Sequence, residues 1–278
     1  MTSAAHNPDD YCYRHPDRLS FVLCERCGRT ICPECQTQAP VGVHCPECVK
    51  QARAAHPQSA RITTRATRVL GTASGRPIVT YTIIALCLVI YGIQFLTGNA
   101  VTDAGWYAGA YTASEPWRMI TSIFLHQSIL HVGLNMYSLW IVGPALETML
   151  GRVRYLALFF IAGFGGSVGV LLLASPLQPV VGASGAIFGL FGAYFIIQRR
   201  LGGNARQMLV LIAINLVYGF IVPGIAWQGH VGGLIAGAAV AFVYLETPRI
   251  NQRPLQVVLT AAVAVVLIVV TALKVTLF

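Results

Sequence analysis

The chain alternates between two textures. Residues 1–76 mix polar, charged and cysteine positions without an apolar run, and from residue 78 onward long apolar stretches recur between short polar breaks. The stretches cover residues 78–97, 129–150, 155–174, 184–198, 207–221, 229–245 and 255–275. A helix needs about 20 apolar residues to cross the hydrocarbon core, so each stretch predicts a transmembrane helix. The fourth and fifth are short, and are expected to begin below the surface or to lie where protein thins the bilayer. The pattern therefore predicts an all-α polytopic membrane protein of seven spans, preceded by a small domain of different chemistry.

Composition separates the two parts further. Hydrophobic residues make up 55% of the chain and charged residues 10%, against roughly 25% charged in a soluble domain. Residues 1–76 hold ten Lys or Arg and six Asp or Glu, and the remaining 202 residues hold nine and four. The basic excess tracks topology rather than nucleic acid. Arg61, Arg65, Arg68 and Arg76 precede the first span; Arg152 and Arg154, then Arg199, Arg200 and Arg206, then Arg249 and Arg253 fall in alternate loops. Loops 175–181 and 219–228 carry no charge. The positive-inside rule then places the N-terminus in the cytosol and, after seven spans, the C-terminus outside the cell membrane. The first 50 residues have no apolar run, so no cleavable secretory signal is expected.

Seven of the eight cysteines lie before residue 50, as Cys12-x2-His15, Cys24-x2-Cys27, Cys32-x2-Cys35 and Cys45-x2-Cys48. Each pair offers two ligands from one tight turn, which suits tetrahedral zinc. About 50 residues bury too little core to fold unaided, so metal would supply the folding energy. Disulfides are the competing reading, and a cytosolic location argues against them. The spacing resembles a B-box zinc finger, and that resemblance implies two Zn²⁺ ions. Cys12, His15, Cys32 and Cys35 would hold one ion; Cys24, Cys27, Cys45 and Cys48 would hold the other. His44 is a further candidate ligand, although Cys45 has the better spacing to Cys48. The head reads as a regulatory module or one with a cytosolic protein partner. The domain expectation is a zinc-binding region over 1–50, a basic linker over 51–76, a six-span core over 77–248 and a seventh helix over 249–278. Cys87, alone in the first span, reads as a small packing residue.

Polar side chains are costly in hydrocarbon, which singles out Ser184 and His230. Ser184 lies 15 residues before Arg199, and His230 lies 16 before Glu246. At 1.5 Å per residue both stand ~22–24 Å above the inner boundary of a core of about 30 Å. Gly185 with Gly189, and Gly233 with Gly237, form two small-residue faces that let these helices pack closely. Serine needs such a base, because its hydroxyl is barely ionised at neutral pH. The acidic residue found within a span is Glu147, at the inner end of the second, so a Ser–His dyad is expected, with Phe188 stacked on the imidazole in place of an aspartate. His131 and Asn135 share a face of the second span and could, with the Ser184 amide, donate to a developing oxyanion. His126, at the mouth of that span, would brace the outer loop and nearby water. With Gln228, these residues would form a polar pocket open to the outside.

Five pieces together resemble the rhomboid family of intramembrane serine proteases: Trp117-Arg118, His126-x4-His131-x3-Asn135, Gly143-x3-Glu147, Gly182-x-Ser184-Gly185, and His230-x2-Gly233-x3-Gly237. The resemblance covers about residues 77–245 and implies a rhomboid-like six-helix bundle. It implies Ser184 as nucleophile, His230 as base, and His131, Asn135 and the Ser184 amide as oxyanion donors. Gly182, Gly185, Phe188, His126, Trp117 and Arg118 would support them. The Trp-Arg loop would be embedded in the membrane, and the fifth span with residues 220–227 would form a lateral gate and cap. A zinc head before such a core resembles certain actinobacterial members. Catalysis itself would need no cofactor. The implied partners are transmembrane protein substrates and the bilayer, with no nucleic acid. The alternative is a catalytically silent rhomboid-like protein that binds membrane clients. A histidine-bound metal hydrolase would want a transmembrane Asp, which the spans lack, and a transporter would want an embedded acidic relay.

Overall fold

The computed structural model describes residues 8–39, 41–55, 75–222 and 224–277. Arg61, Arg65 and Arg68 of the expected linker lie outside the described residues. The chain divides into two compact units, Met1–Ser59 and Ala60–Phe278.

The first unit is built from turns. Strand β1 (Tyr11–Cys12) pairs antiparallel with β2 (His15–Leu19), and β3 (Thr37–Gln38) pairs with β4 (Val43–His44), ahead of helix α1 (Pro46–Ala55). Among the described residues its buried centre consists of Ile31 and six cysteines, Cys12, Cys24, Cys32, Cys35, Cys45 and Cys48. One aliphatic side chain is far too little core for a unit of this size. The Ser20 hydroxyl donates to the Ile31 carbonyl at 2.8 Å and turns inward, while Leu19, Phe21 and Leu23 remain exposed.

The second unit is helical. Helix α2 (Ile78–Leu96) is followed by two short helices, α3 (Ala100–Gly105) and α4 (Arg118–Thr121). Then come α5 (Ile129–Leu150), α6 (Arg152–Leu173), α7 (Ser184–Arg200), α8 (Arg206–Ile221), α9 (Trp227–Glu246) and α10 (Arg253–Leu277). Among the described residues, five helices are long and apolar enough to cross a membrane: α2, α5, α6, α9 and the stretch Ile250–Leu277 that contains α10. At 17 and 16 residues, α7 and α8 are the short ones. The protein is a multi-pass membrane protein.

Burial ranks the helices. The apolar windows of α6 and α9 are 56% buried, and that of the last span is 11% buried. Helices α6, α7 and α9 thus form the centre, and the last helix turns most of its surface to lipid. The centre can be this tight because its contact faces are glycine and alanine. A Cβ at Gly233 would run into the Gly185 carbonyl, and one at Gly237 into the Gly189 backbone. Without a hydrophobic driving force between helices in lipid, such backbone approach supplies the packing. At the other end of the bundle, Glu147 on α5 caps α2. Its carboxylate accepts from Val79 N–H (2.9 Å), Thr80 N–H (2.8 Å) and Thr80 Oγ1–H (2.8 Å). A buried carboxylate on a helix N-terminus satisfies orphan amides and meets the positive end of the dipole.

Candidate active site

Ser184 is the first residue of α7, and His230 lies in the first turn of α9. The glycine seam between these helices brings the two side chains together: His230 Nε2 is 2.9 Å from Ser184 Oγ. The ring of Phe188, one turn beyond the serine, lies parallel to the imidazole at 4.2 Å and 6°. His230 Nδ1 is buried with no hydrogen-bond partner among the described residues. The orientation of this ring is therefore set by the Phe188 stack and the serine. Such a pair can pass the serine proton to the imidazole.

Helix α5 supplies the second side of the site. The Ser128 hydroxyl caps it, accepting from His131 N–H at 3.2 Å. One residue earlier, Gln127 N–H lies 3.5 Å from His131 Nδ1. An amide N–H can only donate, so Nδ1 accepts and the His131 proton sits on Nε2. Asn135, one turn on, is buried, and its Nδ2 has no partner among the described residues. Both side chains face Gly182, where a Cβ would lie 2.7 Å from His131 Nε2 and 3.6 Å from Asn135 Nδ2. Gly182 also adopts φ +126, a backbone conformation that disfavours side chains. Its N–H donates to the Ser122 carbonyl at 2.9 Å, fixing the segment that leads into Ser184. The Ser184 N–H, at the start of α7, is one of the amides without an intrahelical acceptor. The His131 ring and the Asn135 amide thus border Gly182, two residues before Ser184.

His126 is buried. Its ring meets that of His131 edge-on at 5.2 Å. Arg118 is buried in the loop between α2 and α5, where it organises backbone. Its Nη1 donates to the carbonyls of Asp103 (2.8 Å) and Trp106 (2.9 Å), and its Nε to Glu115 at 2.6 Å. Trp117 is exposed beside it. The cavity beside Ser184 is lined by Ser122, Ser167, Val180, Gly182, Gly185 and Gly229, among others. Its walls are mostly small residues and backbone. Ser167 is tied to the Met119 carbonyl at 2.7 Å. Phe220 and Trp227, the ends of the expected gate region, stack at 4.3 Å.

The cysteines of the first unit gather in two groups. Cys12, His15, Cys32 and Cys35 form one, and Cys24, Cys27, Cys45 and Cys48 the other, with ligand atoms within 4.8 Å of one another in each. His15 Nδ1 lies 3.7, 3.3 and 3.5 Å from the sulfurs of Cys12, Cys32 and Cys35. The sulfurs of Cys27 and Cys45 are 3.7 Å apart. Tetrahedral zinc, with bonds near 2.3 Å to sulfur and 2.0–2.1 Å to nitrogen, requires about 3.6 Å for S···N and about 3.8 Å for S···S. Both groups can hold a metal ion, and the donor set fits zinc. His44, half-buried in β4, is in neither group. Arg29 Nε, 3.4 Å from Cys27 Sγ, lowers that thiol's pKa and so favours the ligating thiolate. Among the described residues these are the groups of three or more such ligands, so His126, His131 and His230 do not converge on a metal position.

Two buried polar residues with defined roles were not singled out from sequence: Gln94 on α2, which grips the His126 backbone, and Ser167 on α6. Each is a polar side chain inside an apolar stretch, and that cost was the available signal.

Fold and site together define a multi-pass membrane protein with a serine and a histidine paired inside its helical bundle. Comparison with known proteins gives the family. The Rhomboid domain pattern matches residues 113–247. The chain is 38% identical over 208 residues to the rhomboid protease GluP of Bacillus subtilis, covering 69% of this chain and 40% of GluP. Against the rhomboid homologue YdcA of the same organism, identity is 35% over 181 residues, or 61% of this chain and 89% of YdcA. RHOMBOID-like protein 6, mitochondrial, of Arabidopsis thaliana is 37% identical over 145 residues, 49% of this chain and 46% of that protein. The chain belongs to the rhomboid family. It spans less than half the length of GluP and of the Arabidopsis relative.

Proposed function

We propose that the protein is an intramembrane serine endopeptidase that cleaves transmembrane segments of other membrane proteins. The observation that carries this reading is the 2.9 Å contact between Ser184 Oγ and His230 Nε2 in a rhomboid-family bundle. His230 takes the serine proton as Oγ attacks a peptide carbonyl, then returns it to the leaving amine. The Ser184 N–H, His131 Nε2–H and Asn135 Nδ2–H stabilise the oxyanion. Asn135 Nδ2, buried and without a partner among the described residues, is what a donor reserved for the transition state looks like. Water then hydrolyses the acyl-enzyme, with His230 again as base. The Phe188 stack does the orienting that a triad assigns to aspartate.

The basic residues at one set of helix ends support a cytosolic N-terminus and an extracytoplasmic C-terminus. The two cysteine groups hold one structural Zn²⁺ each, which stabilises the head and takes no part in hydrolysis. Nothing in the head's structure specifies a cytosolic partner. Substrates are helices that unwind readily near their outer end, because an intact helix shields its carbonyls.

The test is cleavage in liposomes of single-span substrates, one with a Gly-rich outer third and one of polyalanine. Wild-type protein cuts the first within its membrane segment and the second far more slowly, and Ser184→Ala and His230→Ala cut neither. Binding of both substrates without cleavage by the wild type would replace this reading with a client-binding one.

A further inference from the structure

Gln94 lies near the outer end of α2, and 4% of its surface is exposed. An amide side chain in a membrane helix is costly unless its groups are satisfied, and here they are, by both backbone groups of His126 and by the Thr102 hydroxyl. Gln94 Oε1 accepts from His126 N–H at 3.0 Å. Its Nε2 donates to the His126 carbonyl at 3.1 Å and to Thr102 Oγ1 at 2.7 Å. Both backbone groups of His126 are thereby gripped by one side chain, and nothing about this grip serves α2 itself.

The residues just beyond His126 give the grip its consequence. The next amide, Gln127 N–H, is the one that meets His131 Nδ1. The residue after it, Ser128, caps α5 through His131 N–H. The His126 ring rests edge-on against His131. The position of the His126 backbone therefore decides where the Gln127 amide points and where the His126 ring lies, and these two hold the His131 imidazole with Nε2–H toward Gly182.

We infer that Gln94 is a positioning residue for the oxyanion donors, acting through the His126 backbone on the orientation and tautomer of His131. The inference rests on the proposed serine-protease reading. It makes a side chain on the first span part of the support for the donor set, although it lies well outside the matched domain at 113–247.

The test uses the full chain, purified in detergent, and a fluorophosphonate probe, with the maximal inactivation rate and the apparent probe affinity measured separately. The variants are Gln94→Met, which keeps the shape of the side chain and loses every hydrogen bond, and Gln94→Glu, which keeps the acceptor for His126 N–H and loses the donors. Thr102→Val removes the bond that does not involve His126. Displacing an oriented catalytic group by about 1 Å costs on the order of 10²-fold. Gln94→Met should therefore label about 10²-fold more slowly at saturation, with probe affinity changed less than about threefold, and Gln94→Glu should fall between it and the wild type. Thr102→Val should stay within about threefold of the wild type. If Gln94→Met does not fold, Gln94→Glu carries the same comparison. Wild-type labelling rates in folded Gln94 variants, or losses that only track the folded fraction, overturn the inference and leave the protease reading intact. Absence of labelling in folded wild-type protein overturns both.

Discussion

Gly233→Ala tests whether the glycine seam sets the reacting distance. The added methyl would overlap the Gly185 carbonyl and lie 3.1 Å from the Gly185 Cα, so the obstacle is backbone that no rotamer change can relieve. Restoring ordinary van der Waals spacing moves α9 from α7 by on the order of 1 Å, at a cost of ~1–3 kcal/mol for overpacking. His230 sits three residues from Gly233 on the same helix face. The Ser184–His230 distance of 2.9 Å therefore opens to well beyond hydrogen-bond range. The expected rate loss is about 10²-fold, with a thermal midpoint lower by a few degrees. Gly219→Ala is the internal control: its methyl would sit 3.5 Å from His230 Nδ1, an ordinary contact, and should leave both quantities near wild type. Proteoliposome cleavage and thermal unfolding measure the two effects. Full activity in a folded Gly233→Ala protein would refute the reasoning.

Glu147→Gln should do the opposite of an active-site change. Weakening three bonds to a buried carboxylate lowers stability by about 3 kcal/mol, seen as a lower unfolding midpoint, while turnover in the folded fraction stays normal. Asn135→Ala removes a donor that no described group uses at rest, so unfolding should barely change while turnover falls ~10²–10³-fold; unchanged turnover would remove Asn135 from the oxyanion site. Elemental analysis should find two zinc ions per chain. Cys24→Ser or Cys45→Ser should release one ion and expose the head to proteolysis while Ser184 stays reactive; a metal-free head that resists protease would contradict the zinc assignment.

The membrane body was legible in sequence because hydropathy and residue spacing act over whole helices. The stretch read as 129–150 is helix Ile129–Leu150, and the stretch read as 155–174 is Arg152–Leu173. Boundaries drifted where an arginine starts a helix, because guanidinium groups reach out to the headgroups while their backbone stays helical. Counting rise per residue put Ser184 and His230 at one depth, and glycine spacing put them on facing helices; the structure sets them 2.9 Å apart. Groups fixed by loops were not legible. The cavity beside Ser184 is walled by backbone from residues 180–182 and by small residues of α6, whose convergence depends on loop paths that have no periodic signal. Gln94 escaped for the same reason: its partner is the backbone of His126, and any residue at 126 offers the same two groups. Glu147 was visible as a lone acid in a span, but its role needed the register of α2 against α5.

The most direct measurement is labelling of purified full-length protein with a serine-directed fluorophosphonate, beside Ser184→Ala and His230→Ala, with folding of all three verified. The account predicts labelling of the wild type alone, with the adduct on Ser184. Equal labelling of all three, or none in a folded wild type, would contradict an activated Ser184–His230 pair.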